Sequence, residues 1–110
     1  MNIIIHRGTH QIGGSAIEIS TKSTRIILDF GNELSLDEKY IPINLDIDGV
    51  TKGMLDCDGI VISHYHMDHL GQLTSALPEI PLYMGKLSKE VAMIATEHQD
   101  KDLYLRLLGA

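Results

Sequence analysis

The segment His64-Tyr-His-Met-Asp-His69 follows directly on the apolar run Ile60-Val61-Ile62, and the pair constrains this 110-residue chain more than any other stretch. A short continuous apolar run bounded by Gly59 and Ser63 reads as a buried strand. Three imidazoles and a carboxylate just past its end are donor types for zinc and similar divalent metals. His64 and His66 stand two residues apart, so extended backbone projects them to the same side, where both reach one ion. A helix would turn them about 200° apart. Asp68 and His69 are adjacent and face away from that pair, placed for a second metal close by. Metals of paired hydrolytic sites sit ~3.5–4 Å apart. A single histidine is usually a surface or core residue. Three in six residues with an aspartate depart from that background, and they point to metal-dependent hydrolysis.

Composition sets the frame around this cluster. The length suits one folding unit, and 44% apolar residues suffice for a core. Fifteen acidic against nine basic residues give a net charge of -6. That field disfavours nonspecific binding to phosphate backbones, yet bound cations would change the sign locally. Cys57 is the one cysteine, so no internal disulfide framework exists and a reducing, cytoplasmic compartment is expected. The N-terminus lacks the pattern of a signal peptide, and no run approaches a membrane span.

Along the chain, Ile3 to Ile5 read as a first strand. Ala16 to Ser20 and Arg25 to Leu28 form a hairpin around Thr21-Lys22-Ser23. Residues 32 to about 58 are acid-rich and read as a long loop with short elements. Gly59 to Ser63 is the buried strand. A short helix is expected from His69 to Leu77, with Asp68 at or near its N-cap and Pro78 past its end. Pro81 to Met84 is a further strand. A helix capped by Ser88 should run to about His98 and present Leu87, Val91, Ile94 and His98 on one face. The tail Leu103 to Leu108 is helical. Strands first, then alternating strand and helix, predict a layered α/β or α+β architecture in one domain, residues 1–110.

The six-residue cluster matches the His-x-His-x-Asp-His motif of the metallo-β-lactamase fold hydrolases. Gly8-Thr-His-Gln-Ile-Gly-Gly-Ser15, the hairpin and Ile26-Ile-Leu-Asp-Phe-Gly31 resemble the opening strands of that fold. They are most similar to the ribonuclease J-like branch, whose members often carry an inserted β-CASP domain. The resemblance covers most of the chain and corresponds to the first half of a four-layer αββα sandwich.

The resemblance implies that His64 and His66 bind a first zinc, and that Asp68 and His69 bind a second. Two zinc ions per complete site would supply an activated water, and manganese is compatible with the same donors. Asp29 would orient the metal loop, or serve as a hydrogen-bonding carboxylate at a strand end. In the family a later histidine, a bridging aspartate and another histidine complete the centre, and no position here matches them. The implied function is hydrolysis of RNA phosphodiester bonds by the full-length protein. A small-molecule ester or thioester hydrolase of the same fold stays open, as does a truncated, non-catalytic metal-binding or interaction module. RNA is the expected substrate. A second chain or self-association would cover the apolar face of a half-sandwich. No membrane partner is expected.

Other residues carry less. His6 and His10 read as loop histidines with local hydrogen bonds, and His98 as a packed core histidine. Gly8 to Ser15 nearly has P-loop spacing, but Gly14 stands where the lysine must be and a strand follows instead of a helix. Asp46-Ile-Asp48-Gly49 lacks the acidic pattern of a calcium loop and reads as a turn in a solvated loop. Cys57 reads as a small buried apolar residue.

Overall fold

The structure is a computed structural model that describes residues 1–7, 14–31 and 45–110, with the backbone alone described at Arg7 and Asp68. Among the described residues, five strands form one sheet in the order β1-β2-β3-β4-β5. They are β1 (Asn2–Arg7), β2 (Ala16–Ser20), β3 (Arg25–Leu28), β4 (Gly59–Ile62) and β5 (Leu82–Met84). The first three pair antiparallel, while β3–β4 and β4–β5 are parallel. Parallel neighbours need crossovers. The second crossover carries α1 (Met67–Leu70) and a 3-10 turn at Leu73–Ser75, and α2 (Lys86–Thr96) and α3 (Lys101–Leu108) follow. The architecture is α+β, as the alternation of patterns predicts.

Register sorts the side chains onto two faces. Ile27, Ile60 and Leu82 are cross-strand partners on one face. They share one core cluster with Phe30, Leu70, Leu73, Ile80, Ala92, Leu103 and Leu107, so the helices lie on that side. The opposite face is also apolar. One row across the sheet reads Ile5, Ile17, Leu28, Val61, Tyr83, and a second reads Ile3, Ile19, Ile26, Gly59. Ile3, Ile5 and Tyr83 on this face are 61%, 52% and 56% exposed. The continuous apolar character of β4 thus reflects a strand built for apolar contact on both sides.

Several boundaries and faces differ from expectation. The first helix begins at Met67 rather than His69, with extended His66 at its N-cap, so Asp68 lies inside it. It stops after four residues at Gly71, and the chain continues as a 3-10 turn, because Gly71, Thr74 and Ser75 are poor helix formers. The face of α2 that looked inward is turned outward. Its buried residues are Ala92 and Thr96. Small side chains let the helix approach closely, and Thr96 satisfies its hydroxyl on Ala92 O at 2.9 Å. His98 is exposed past the end of α2, not packed in the core. His6 lies in β1 rather than a loop, and His10 falls outside the described residues. The tail helix starts earlier than its apolar pattern, because Asp100 caps it by accepting from Leu103 N at 3.1 Å. Cys57 is buried, as its surroundings in sequence suggest.

The end of the sheet at the β2–β3 hairpin is locked by charge. Buried Glu18 accepts from Arg25 Nη2 at 2.8 Å and pairs with His6 Nε2 at 2.9 Å. Arg25 Nη1 donates to Asp48 O and Asp56 O, both at 2.9 Å, and so ties the described part of the acid-rich loop to the sheet. That loop is not wholly solvated: Ile47 and Val50 are buried. Gly49 turns it at φ 82°, where a Cβ would meet Arg25 Nη1 at 2.8 Å. Burial pushes the Glu18 carboxyl up, but the hydrogen bonds from Arg25 and His6 outweigh it and hold the group below the usual carboxylate range. A depressed folded-state pKa contributes stability that is present above the unfolded value and lost as pH falls through the folded one. Acid unfolding of Glu18→Gln, followed by circular dichroism, is therefore expected to be less steep than that of the wild type below the ordinary carboxylate range. Parallel curves would refute the account.

Candidate metal centre

Strand β4 ends at Ile62, and the next residues hold the cluster. Ser63 to His66 stay non-helical, so His64 and His66 project together as the spacing requires. His64 Nε2 lies 2.9 Å from His66 Nδ1, with ring centroids 4.1 Å apart. Two imidazole nitrogens on one tetrahedral zinc, each at about 2.0–2.1 Å, stand roughly 3.4 Å apart. The observed pair is closer than that, at hydrogen-bond distance, so the two rings face each other and a shared metal would replace the proton between them. The Tyr65 ring lies 4.5 Å from that of His64 and 4.6 Å from that of His66, flanking the pair.

His69 enters from the first turn of α1. Its ring lies 5.5 Å from that of His64, edge-on. Its Nδ1 donates to Asp29 Oδ2 at 2.9 Å. A carboxylate on one ring nitrogen fixes the tautomer and leaves the lone pair on the other, the arrangement that metal-ligating histidines use. Asp68 is on the same turn, and its side chain is outside the described residues. Among the described residues, no three His, Cys, Asp or Glu side chains converge as a metal-holding group. The near-contact pair is His64 with His66, and His69 stands beside it.

Asp29 organises this loop. It sits just past β3 at φ 61°, a left-handed conformation that Asp and Asn tolerate better than other side chains. From there its Oδ1 accepts from Ser63 N at 2.7 Å, and its Oδ2 accepts from Ser63 Oγ at 2.6 Å and from His69. The backbone adds three bonds: Asp29 N to Val61 O at 2.8 Å, Phe30 N to His69 O at 2.7 Å, and Gln72 N to Phe30 O at 2.8 Å. The carboxylate therefore grips both ends of the His64–His69 segment. Ser63 was not singled out by its sequence, although a hydroxyl residue between an apolar strand and a histidine cluster is a detectable signal. His6 stands apart from the cluster, engaged with Glu18.

No protein-family model matches the chain. A probable RNase, MJ4, of Methanocaldococcus jannaschii is 32% identical over 97 residues, which is 86% of this chain and 21% of that protein. The RNase aCSPSF2 of Saccharolobus solfataricus is 36% identical over 109 residues, 94% of this chain and 19% of that protein. The chain is similar to archaeal RNases. An RNase J-like protein of M. jannaschii is 37% identical over 68 residues, 62% of this chain and 14% of that protein. The chain thus spans about a fifth of the length of the first two relatives. Among solved structures, a protein of unknown function from Enterococcus faecalis superposes with a TM-score of 0.73 at 25% identity, over 89% of this chain and 28% of that one. Among the described residues, no helix is long and apolar enough to cross a membrane.

Proposed function

We propose that the chain is the first part of a metallo-β-lactamase-fold, ribonuclease J-like hydrolase that cleaves RNA phosphodiester bonds at a divalent metal centre in a reducing, cytoplasmic setting. The observation that carries this reading is the convergence of His64 and His66 beside a His69 already oriented by Asp29, in a chain similar to RNases. His64 and His66 would hold one ion, and Asp68 with His69 a second. A metal held there supplies a water activated near neutral pH. The protein's own part is positional. Asp29 sets the ring plane of His69, and Ser63 anchors the loop through both its amide and its hydroxyl. Residues 1–110 then form a partial domain whose open sheet face is covered by further polypeptide or a second chain.

Equilibrium dialysis against zinc at neutral pH tests the metal assignment. The wild type is expected to retain zinc, and His66→Ala to bind at least about tenfold more weakly, since one imidazole of a two-nitrogen pair is gone. Equal retention by both would remove the assignment. Hydrolysis of a 5′-labelled RNA and of a generic phosphodiester, with the same variant as control, separates a nuclease from a small-molecule hydrolase of the same fold.

A further inference from the structure

The outward face of α2 carries Leu87 and Ile94, 73% and 77% exposed, with half-buried Val91 between them. Their spacing of four and three residues is that of a heptad seam, the pattern by which one helix receives another. Beside it, Met93, Ile94 and Tyr104 floor a shallow groove of about 360 Å³ between α2 and α3. Glu90 and Glu97 stand on the rim of this groove. They are seven residues apart, two helical turns, or about 10.5 Å along the axis. Among the described residues neither makes an ion pair. Two nearby lysines are engaged elsewhere, Lys89 Nζ donating to Ala110 O at 2.6 Å and Lys101 Nζ lying 5.9 Å from the Tyr104 ring centre, while exposed Lys86 lies one turn before Glu90.

We propose that this face is a docking surface for an amphipathic helix of a partner polypeptide that bears lysine or arginine beside its apolar stripe. The exposed seam supplies the apolar contact, and the two carboxylates select a basic flank at matching two-turn spacing. The same carboxylates argue against other occupants. Two copies pairing α2 antiparallel about a twofold axis near residues 93 and 94 would set Glu90 of each copy against Glu97 of the other. An anionic lipid surface is bound by helices with basic polar faces, not acidic ones.

The test uses two synthetic three-heptad peptides with leucine at the seam, one flanked by lysine and one by glutamate. Binding is read by fluorescence anisotropy and mapped by amide chemical shifts. The lysine peptide is expected to bind at least tenfold more tightly than the glutamate peptide, with shifts centred on residues 87–97. Ile94→Glu should weaken it at least tenfold. The double variant Glu90→Lys, Glu97→Lys should reverse the preference, which keeps the test decisive if Ile94→Glu folds poorly. Equal binding of the two peptides, shifts confined to the sheet, or indifference to the charge swap would overturn the proposal. So would a concentration-dependent dimer that Ile94→Glu abolishes, since that assigns the face to a second copy.

Discussion

Replacing Asp29 with alanine is expected to destabilise the chain by roughly 1–3 kcal/mol, because its three part-buried hydrogen bonds are each worth about 0.5–1.5 kcal/mol net and the exposed Ser63 groups can turn to water. Three donors lose their partner: Ser63 N, Ser63 Oγ and His69 Nδ1. Alanine must also adopt φ 61°, where a side chain without a local hydrogen bond is strained. Asp29→Asn should cost less, since it tolerates that backbone and keeps one acceptor oxygen. Urea unfolding of the two variants measures the difference. Zinc affinity should fall by about 10–100-fold in the alanine variant, the usual effect of removing the carboxylate behind a ligating histidine. If alanine and asparagine variants unfold together with the wild type, Asp29 is not the organiser of the loop.

The second large effect concerns the open face of the sheet. Two cross-strand apolar rows, with Ile3, Ile5 and Tyr83 more than half exposed, form a contiguous patch of the kind that soluble monomers rarely leave uncovered. The isolated chain is therefore expected to self-associate at micromolar concentration in analytical ultracentrifugation. Ile3→Lys with Ile5→Lys should weaken that association at least about a hundredfold, since burying each isoleucine is worth about 1.5–3 kcal/mol. Ile94→Glu on α2 should leave it unchanged, because that residue lies on a different surface. A wild-type chain that sediments as a monomer across this range would sink the expectation.

Much of this was legible because apolar runs and turn residues carry direct signals. The hairpin and the strand before the histidines follow from alternation and from β-branched content. The His64–His66 pairing follows from a spacing that only extended backbone satisfies. What stayed hidden depended on tertiary context. The large residues of α2 suggested an inward face, yet the burial is by Ala92 and Thr96, which contribute almost nothing to a hydrophobic pattern. His6 looked local because its partner, Glu18, is in the adjacent strand. The reach of Asp29 to Ser63 spans 34 positions, and that to His69 spans 40. A lone acidic residue after a strand reveals neither partner, and the orienting role of Asp29 is expected from the family resemblance alone. The helix expected to reach Leu77 stops short because Gly71 ends α1 before the apolar pattern does.

Strand β3 joins two dissimilar ends of the molecule. Arg25 opens it amid the Glu18 and loop contacts, and Asp29 follows its last residue at the histidine loop. At about 3.3 Å per residue these groups are roughly 13 Å apart. Perturbations that far apart with no shared partner add nearly independently. Substitutions at the two ends of the strand therefore act on separate thermodynamic handles. Loss of the Glu18–Arg25 pair loosens the hairpin end and leaves the Asp29 bonds to Ser63 and His69 in place, and loss of Asp29 leaves the Arg25 anchorage at full strength. Changes introduced at the hairpin end can accordingly raise or lower the melting point of this chain while the geometry of the histidine loop stays the same.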